Sequence, residues 1–179
     1  GMTAVTPADA GKFSRDNIAL YVDAEYDISD DLLLQGALRY EDFSDFGGTV
    51  NGKIASRYNI TDDFVIRGAV STGFHAPTPG QANVTTIITT FDGSTGAQVE
   101  EGLVRTDNPQ AIANGAKELK EEESVSLSLG FTYSGFDNGN LAVDLYKTDV
   151  DDRIYRTGDI RVSSGGTVSF FTNALDVEH

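Results

Sequence analysis

Cysteine and tryptophan are absent from the 179 residues, and methionine occurs once. Without cysteine there can be no disulfide, no thiolate zinc site and no cysteine nucleophile. Positive charge is also scarce: 13 Lys and Arg stand against 28 Asp and Glu, a formal net charge of −15. A nucleic-acid partner needs a basic face to neutralise phosphates, so no nucleic acid is expected among the partners. No stretch approaches the roughly 20 apolar residues of a membrane-spanning helix, which excludes a helical membrane protein. Residues 1–17 are small and polar with no apolar core, so the targeting segment of an exported product is expected outside this sequence. The leading Gly-Met is read as a cloning remnant.

The length suits one domain. Glycine is plentiful, with 19 residues, and Val, Ile, Thr, Tyr and Phe are frequent, a composition of strands and turns. Period-two alternation then recurs along the chain. NIALYVDAEYDI (17–28) sets Ile18, Leu20, Val22, Ala24 and Tyr26 on one face and Asp23 and Glu25 on the other. LLLQGALRYE (32–41) sets Leu32, Leu34, Gly36, Leu38 and Tyr40 against Gln35 and Arg39. In TVNGKIASRYNI (49–60), Val50, Gly52, Ile54 and Tyr58 oppose Asn51, Lys53 and Arg57. In FVIRGAVSTGF (64–74), Phe64, Ile66, Gly68 and Val70 oppose Arg67 and Ser71. The period lapses over 74–120, apart from a short strand or hairpin at VTTIITTF (84–91) and a helical turn near NPQAIANGAKEL (108–119). It resumes in SVSLSLGFTY (124–133) and LAVDLYKTDVDDRIY (141–155), and part of one more strand follows in VSFFTN (168–173).

This predicts an all-β protein, an antiparallel up-and-down meander of about six to eight strands. It is either a segment of a transmembrane β-barrel or a small closed barrel. Three features favour the membrane. The apolar faces stay free of charge for about five facing positions, on the order of 23 Å once the strands tilt, close to the apolar band of an outer-membrane barrel. Aromatic residues (Tyr26, Tyr40, Tyr58, Phe64, Phe74 and Tyr133) stand at the ends of those faces, as an interfacial girdle requires. The connections also alternate between tight and long. A soluble sandwich or lipocalin-like barrel that binds a small molecule alternates in the same way, with its apolar face inward, and the pattern alone leaves both readings open.

Three ordered segments, with a shorter one after them, break the tie. STGFHAPTPGQ (71–81) resembles the S-x-G-F-R-A-P-(S/T)-x-x-(Q/E) segment of TonB-dependent outer-membrane receptors, where a barrel strand passes into an extracellular loop. AKELKEEESVSLSLGF (116–131) is similar to the family's L-K-P-E-x-S return strand. LAVDLYKTDVDDRI (141–154) is similar to its L-x-x-D-Y-Y-x-I-x-I-x-D-R-I strand, and FFTNALDVE (170–178) to the next loop and strand. His75 stands where the family usually has Arg, and Glu121 where Pro is frequent. The resemblance covers about residues 16–177. It implies residues 1–15 as an N-terminal tail and 16–179 as a single barrel segment with an extracellular-type loop at 74–120.

The resemblance further implies a receptor in the cell outer membrane that takes up a siderophore-type or similar small-molecule nutrient. Such receptors have a barrel of about 22 strands with a plugged lumen. The plug and the TonB-contacting box are expected outside this stretch, so TonB would be reached only through that missing part and the segment alone is not expected to transport. No enzyme activity, cofactor or metal is implied. An open meander has two unsatisfied edges. The segment is therefore expected to close, to form a homodimer by strand-edge pairing as an interaction module, or to roll its lipid face inward as a core, within one chain or across a dimer.

The candidate ligand residues are His75 and the threonines Thr85, Thr86, Thr89 and Thr90 of the 74–120 loop. In the family such loops line the outer pocket, and a hydroxyl-rich run suits a polar ligand. For His75 the plainer reading is loop structure, since it has no paired carboxylate at a ligating spacing. Asp30–Asp31 and Asp62–Asp63 read as turn residues, and none of the acidic clusters has a calcium-loop frame. Asp149, Asp151 and Asp152 fit the family's strand-end motif, with Arg153 as an ionic partner. ELKEEE (118–123) reads as solvated rim charge, able at most to attract a cationic ligand. The sequons NVT and NIT are discounted, and there is no phosphate loop, nucleophile elbow or framed pair of catalytic carboxylates, so no catalytic residue is proposed.

Overall fold

A computed structural model describes residues 3–4, 11–163 and 165–178, without the side chains of residues 3–4 and 174–178. The strands, in chain order, are β1 (Thr3–Ala4), β2 (Asn17–Ser29), β3 (Leu32–Phe43), β4 (Gly47–Thr61) and β5 (Phe64–His75). They are followed by α1 (Pro79–Asn83), β6 (Thr86–Phe91), β7 (Gln98–Leu103) and α2 (Pro109–Ala113). The remaining strands are β8 (Glu122–Phe136), β9 (Gly139–Arg156), β10 (Ile160–Arg161), β11 (Thr167–Ser169) and β12 (Phe171–Glu178).

The chain divides into two compact units. One, the sheet unit, holds residues 16–75, 123–151 and those from 176 onward. The other, the loop unit, holds residues 76–122 and 152–175 with those before 16.

The long strands form one seven-stranded sheet in the order β12-β9-β8-β5-β4-β3-β2. Alternation and tight turns fix its register. Leu20 faces Tyr40 and Tyr40 faces Val50, while Val22 faces Leu38. Leu129 faces Leu145, and Phe131 faces Val143. A one-residue slip would move every apolar side chain to the other face, so these rows pin one another. At the turn end of the sheet, aromatic rings cluster: Phe64 against Phe131 at 5.7 Å between centroids, and Tyr133 against Phe136 at 5.0 Å.

Within the sheet unit these apolar rows are exposed. Leu20 is 69 % exposed, Val22 63 %, Leu129 59 % and Leu145 66 %. The expectations of a small closed barrel, and of a lipid face rolled inward as a core within one chain, are therefore corrected. All seven long strands lie side by side in a single sheet with β2 and β12 as its outer strands, so among the described residues of this unit no second layer covers either face. A patch of this extent is what a surface meant for an apolar partner looks like.

The hydrophobic core lies in the loop unit instead. Val104, Ala111, Ala116, Val162, Val168 and Phe170 pack together, with Ile87 and Ile160 against them. A five-stranded sheet, β1-β6-β7-β11-β10, supports this core, and β11 runs parallel to β7. Two close approaches demand glycine here. A Cβ on Gly102 would lie 1.9 Å from the Thr86 carbonyl oxygen, and one on Gly166 would lie 1.9 Å from that of Glu100.

Candidate ligand-binding region

The loop unit begins where β5 stops. Two prolines, Pro77 and Pro79, cannot donate to a ladder, and the chain leaves the strand direction there. Thr78 caps α1: its Oγ1 accepts from the Gln81 amide at 3.1 Å, and the Gln81 Oε1 accepts from the Thr78 amide at 2.8 Å. This is a capping box with proline in the first helical turn, so the run APTPGQ encodes a helix start. The Arg15 guanidinium donates to the Pro77 carbonyl at 2.6 Å.

The threonine run forms β6, which pairs with β7 as a hairpin: Thr86 faces Leu103, Thr89 faces Glu100 and Thr90 faces Val99. Asp92 organises the turn. Its carboxylate accepts from the amides of Ser94 (2.8 Å) and Thr95 (2.9 Å) and from the Ser94 hydroxyl. The Ser94 hydroxyl and these two amides hold its pKa well below the usual carboxylate range.

Alternation along β6 sets Ile87 and Thr89 on one face and Thr86, Ile88 and Thr90 on the other. Thr89 lines a hollow of about 450 Å³ with Gln98, Val99, Glu100 and Gln110. A second hollow, of about 330 Å³, shares Glu100 and Gln110 and adds Glu101, Asn108 and the backbone region of Gly102. Of the five expected ligand residues, Thr89 reaches a hollow. Thr86 and Thr90 lie on the opposite face of the same strand, and Thr85 immediately precedes it. His75 is the exposed last residue of β5 and belongs to the sheet unit. Sequence reasoning missed Gln98, Glu100 and Gln110. The signal for Gln98 and Glu100 was the alternation of QVEEGL opposite TIITTF, which becomes visible only once the hairpin is drawn.

The other charged motifs have structural partners. Glu122, within the acidic run, accepts from the Ile154 amide at 2.7 Å, so the run is not solely solvated charge. Asp149 pairs with Lys147 at 3.4 Å, rather than with Arg153 among the described residues. Asp152 has a left-handed backbone, φ 53. The Asn173 side chain ties this corner together, donating to the carbonyls of Asp152 (2.6 Å) and Lys120 (2.9 Å) and accepting from the Lys120 amide (2.9 Å). Among the described residues no group of three or more metal-ligating side chains converges.

The polar face of the sheet carries its charges in register. Arg67 on β5 donates across β8 to Asp144 on β9, with Nε at 3.0 Å and Nη2 at 2.7 Å, and its Nη1 donates to Thr132 at 3.2 Å. Gly130 keeps that path open, since a Cβ there would lie 2.1 Å from Asp144 Oδ1. Arg39 pairs with the buried Glu41 on the same strand. Arg57 faces Arg67 across the ladder, and Lys53 faces Ser71. One bare apolar face and one charged, hydrogen-bonded face is the division seen in outer-membrane barrel walls.

The family model of TonB dependent receptor-like β-barrels matches residues 2–177. The chain belongs to the TonB-dependent receptor family. The siderophore receptor PirA of Pseudomonas aeruginosa aligns with a TM-score of 0.71 at 21 % identity, over 92 % of this chain and 29 % of that one. The ferric enterobactin receptor PfeA of the same organism, solved as a Q482A mutant in complex with enterobactin, aligns with a TM-score of 0.70 at 15 % identity, over 97 % of this chain and 25 % of that one. The vitamin B12 transporter BtuB of Photobacterium profundum is 38 % identical over 64 residues, 36 % of this chain and 10 % of that protein. The chain thus spans under a third of the length of these relatives and corresponds to a piece of the receptor barrel. The family comprises outer-membrane receptors and transporters rather than enzymes, and its members bind small-molecule ligands and act with TonB.

Proposed function

We propose that this segment is the lipid-facing wall and part of the outer ligand-binding apparatus of a receptor that imports a siderophore-type or similar small nutrient across the outer membrane. The observation that carries the proposal is the bare apolar face of the seven-stranded sheet, backed by a face of paired charges. The loop unit supplies ligand contacts from Thr89 in the hollow, from Thr86 and Thr90 on the same hairpin strand and from Thr85 just before it, and His75, at the end of β5 in the sheet unit, is a separate candidate contact. The outer strands β2 and β12 are taken by neighbouring strands of the complete barrel rather than by a second copy of this chain. TonB engages a part of the receptor outside this segment.

The test is growth of a strain that depends on the complete receptor, with a ferric chelate or a corrin supplied as the limiting nutrient. The expected result is growth that requires both the receptor and TonB. Nutrient uptake that persists unchanged without the receptor, for every chelate and corrin tried, contradicts the proposal.

A further inference from the structure

The two hollows of the loop unit have a chemical character that goes beyond nutrient binding in general. They share Glu100 and Gln110, so together they form one trough, and Thr89, Gln98 and Glu100 stand on the same face of the β6–β7 hairpin. Its polar residues include Thr89, Thr167, Gln98, Asn108, Gln110 and Glu100, with Glu100 on the same hairpin face as Thr89 and Gln98. Among the described residues none of those lining it is Lys, Arg or His. The surrounding field has the same sign: between residues 76 and 122, seven acidic residues stand against three basic ones. An anion entering this trough would meet like charge with no cation to receive it, whereas carboxamides, a hydroxyl and carboxylates are the groups that bind amide, hydroxyl and ammonium functions.

We propose that this trough is a specificity-determining subsite for a nutrient without net negative charge, neutral or cationic and rich in amide or hydroxyl groups, and that it rejects polyanionic chelates. The proposal rests on the uptake reading above and narrows it. Glu100, at the junction of the two hollows, is the residue that decides. Its carboxylate accepts from a ligand donor and repels a ligand anion, and the acidic field outside steers the same charge selection at longer range.

The experiment measures binding and uptake by the complete receptor in outer-membrane vesicles and cells. Its three probes are ferrioxamine B, a cationic ferric trihydroxamate; cyanocobalamin, which has no net charge; and ferric enterobactin, a polyanion. The proposal expects binding of ferrioxamine B or cyanocobalamin and none of ferric enterobactin. Loss of a hydrogen bond to a charged group makes Glu100→Gln weaken the bound probe roughly 10- to 100-fold. Glu100→Lys weakens it further, whereas Glu118→Gln, outside the trough, leaves it unchanged. Tight binding of ferric enterobactin, or binding of any probe with Glu100→Gln unchanged, overturns this inference while leaving nutrient uptake standing. Absence of binding and uptake for all three overturns the inference, and the uptake reading then fails separately if no other chelate or corrin supports receptor-dependent growth.

Discussion

Placing Arg at position 129 asks the sheet which of its faces meets hydrocarbon. Leu129 sits at the centre of β8, which spans Glu122–Phe136, and faces Leu145 in the neighbouring strand. Its side chain is 59 % exposed in the chain by itself. Complete burial of a leucine side chain is worth about 1.5–3 kcal/mol, so transferring the exposed fraction into acyl chains contributes about 1–2 kcal/mol. A charge on the lipid face near the midplane of an outer-membrane barrel costs about 2–4 kcal/mol more. Leu129→Arg should therefore destabilise the folded receptor by about 3–6 kcal/mol, or two to four orders of magnitude in the folded-to-unfolded ratio at about 1.36 kcal/mol per decade. Ser128→Arg, one residue away on the opposite face, should cost little, because a lumen-facing arginine stays hydrated. The assay is urea-induced unfolding of the complete receptor in lipid vesicles, followed by heat-modifiable mobility. Equal losses for the two variants, or a loss below about 1 kcal/mol for Leu129→Arg, would refute the assignment of faces.

Gly130→Ala should lower the urea midpoint because the new Cβ falls 2.1 Å from Asp144 Oδ1 and breaks the reach of Arg67 over β8. Part of that loss should vanish in an Asp144→Ala background, and a strictly additive pair of effects would contradict the mechanism. Phe170→Ala removes a ring that is 3 % exposed from the core of the loop unit. It should cost that unit about 3–5 kcal/mol, read as lost amide protection across β6 and β7, and unchanged protection there would be the contrary result. The Asp92 carboxyl is held below its ordinary pKa, so its contribution to the hairpin turn is complete above the unfolded value near about 3.9 and is lost as pH falls through its lower folded value. The Ser94 and Thr95 amides should therefore stay protected to lower pH than a free carboxylate would allow, and Asp92→Ala should abolish that dependence.

The meander was legible because β2 to β5, β8 and β9 alternate apolar and polar residues along much of their length, with short polar turns inside β2–β5 and between β8 and β9. Nothing non-local is needed to read Leu20, Val22 and Ala24 as one face, and the register within β2–β5 and within β8–β9 follows from the turns, whereas the pairing of β8 with β5 and of β12 with β9 does not. The loop unit was legible only in part. VTTIITTF and NPQAIAN announced a strand and a helical turn by local composition. The parallel pairing of β7 with β11 joins segments more than sixty positions apart in numbering, such as Glu101 and Thr167, and no local signal encodes it. The core residues Val104, Ala111, Val162 and Phe170 likewise come together from separate loops. The threonines could be read as hydroxyl donors but not sorted by face, so Thr89 could not be separated from Thr86 and Thr90 before the hairpin was known. The expectation that the apolar face turns inward within one chain failed for a physical reason: the sheet unit is a single layer, and among its described residues nothing folds back over the apolar rows.

The central claim, that the apolar rows of this sheet face lipid, is tested most directly by nitroxide accessibility at two adjacent positions of β3. The chain contains no cysteine, so Leu38→Cys and Ala37→Cys place one label each on the apolar and polar faces, in a receptor whose other cysteines, where present, are replaced. In lipid vesicles, the label at position 38 should collide readily with oxygen and poorly with a water-soluble nickel chelate, and the label at position 37 should do the reverse. Equal accessibility of both positions to the nickel chelate would contradict the account.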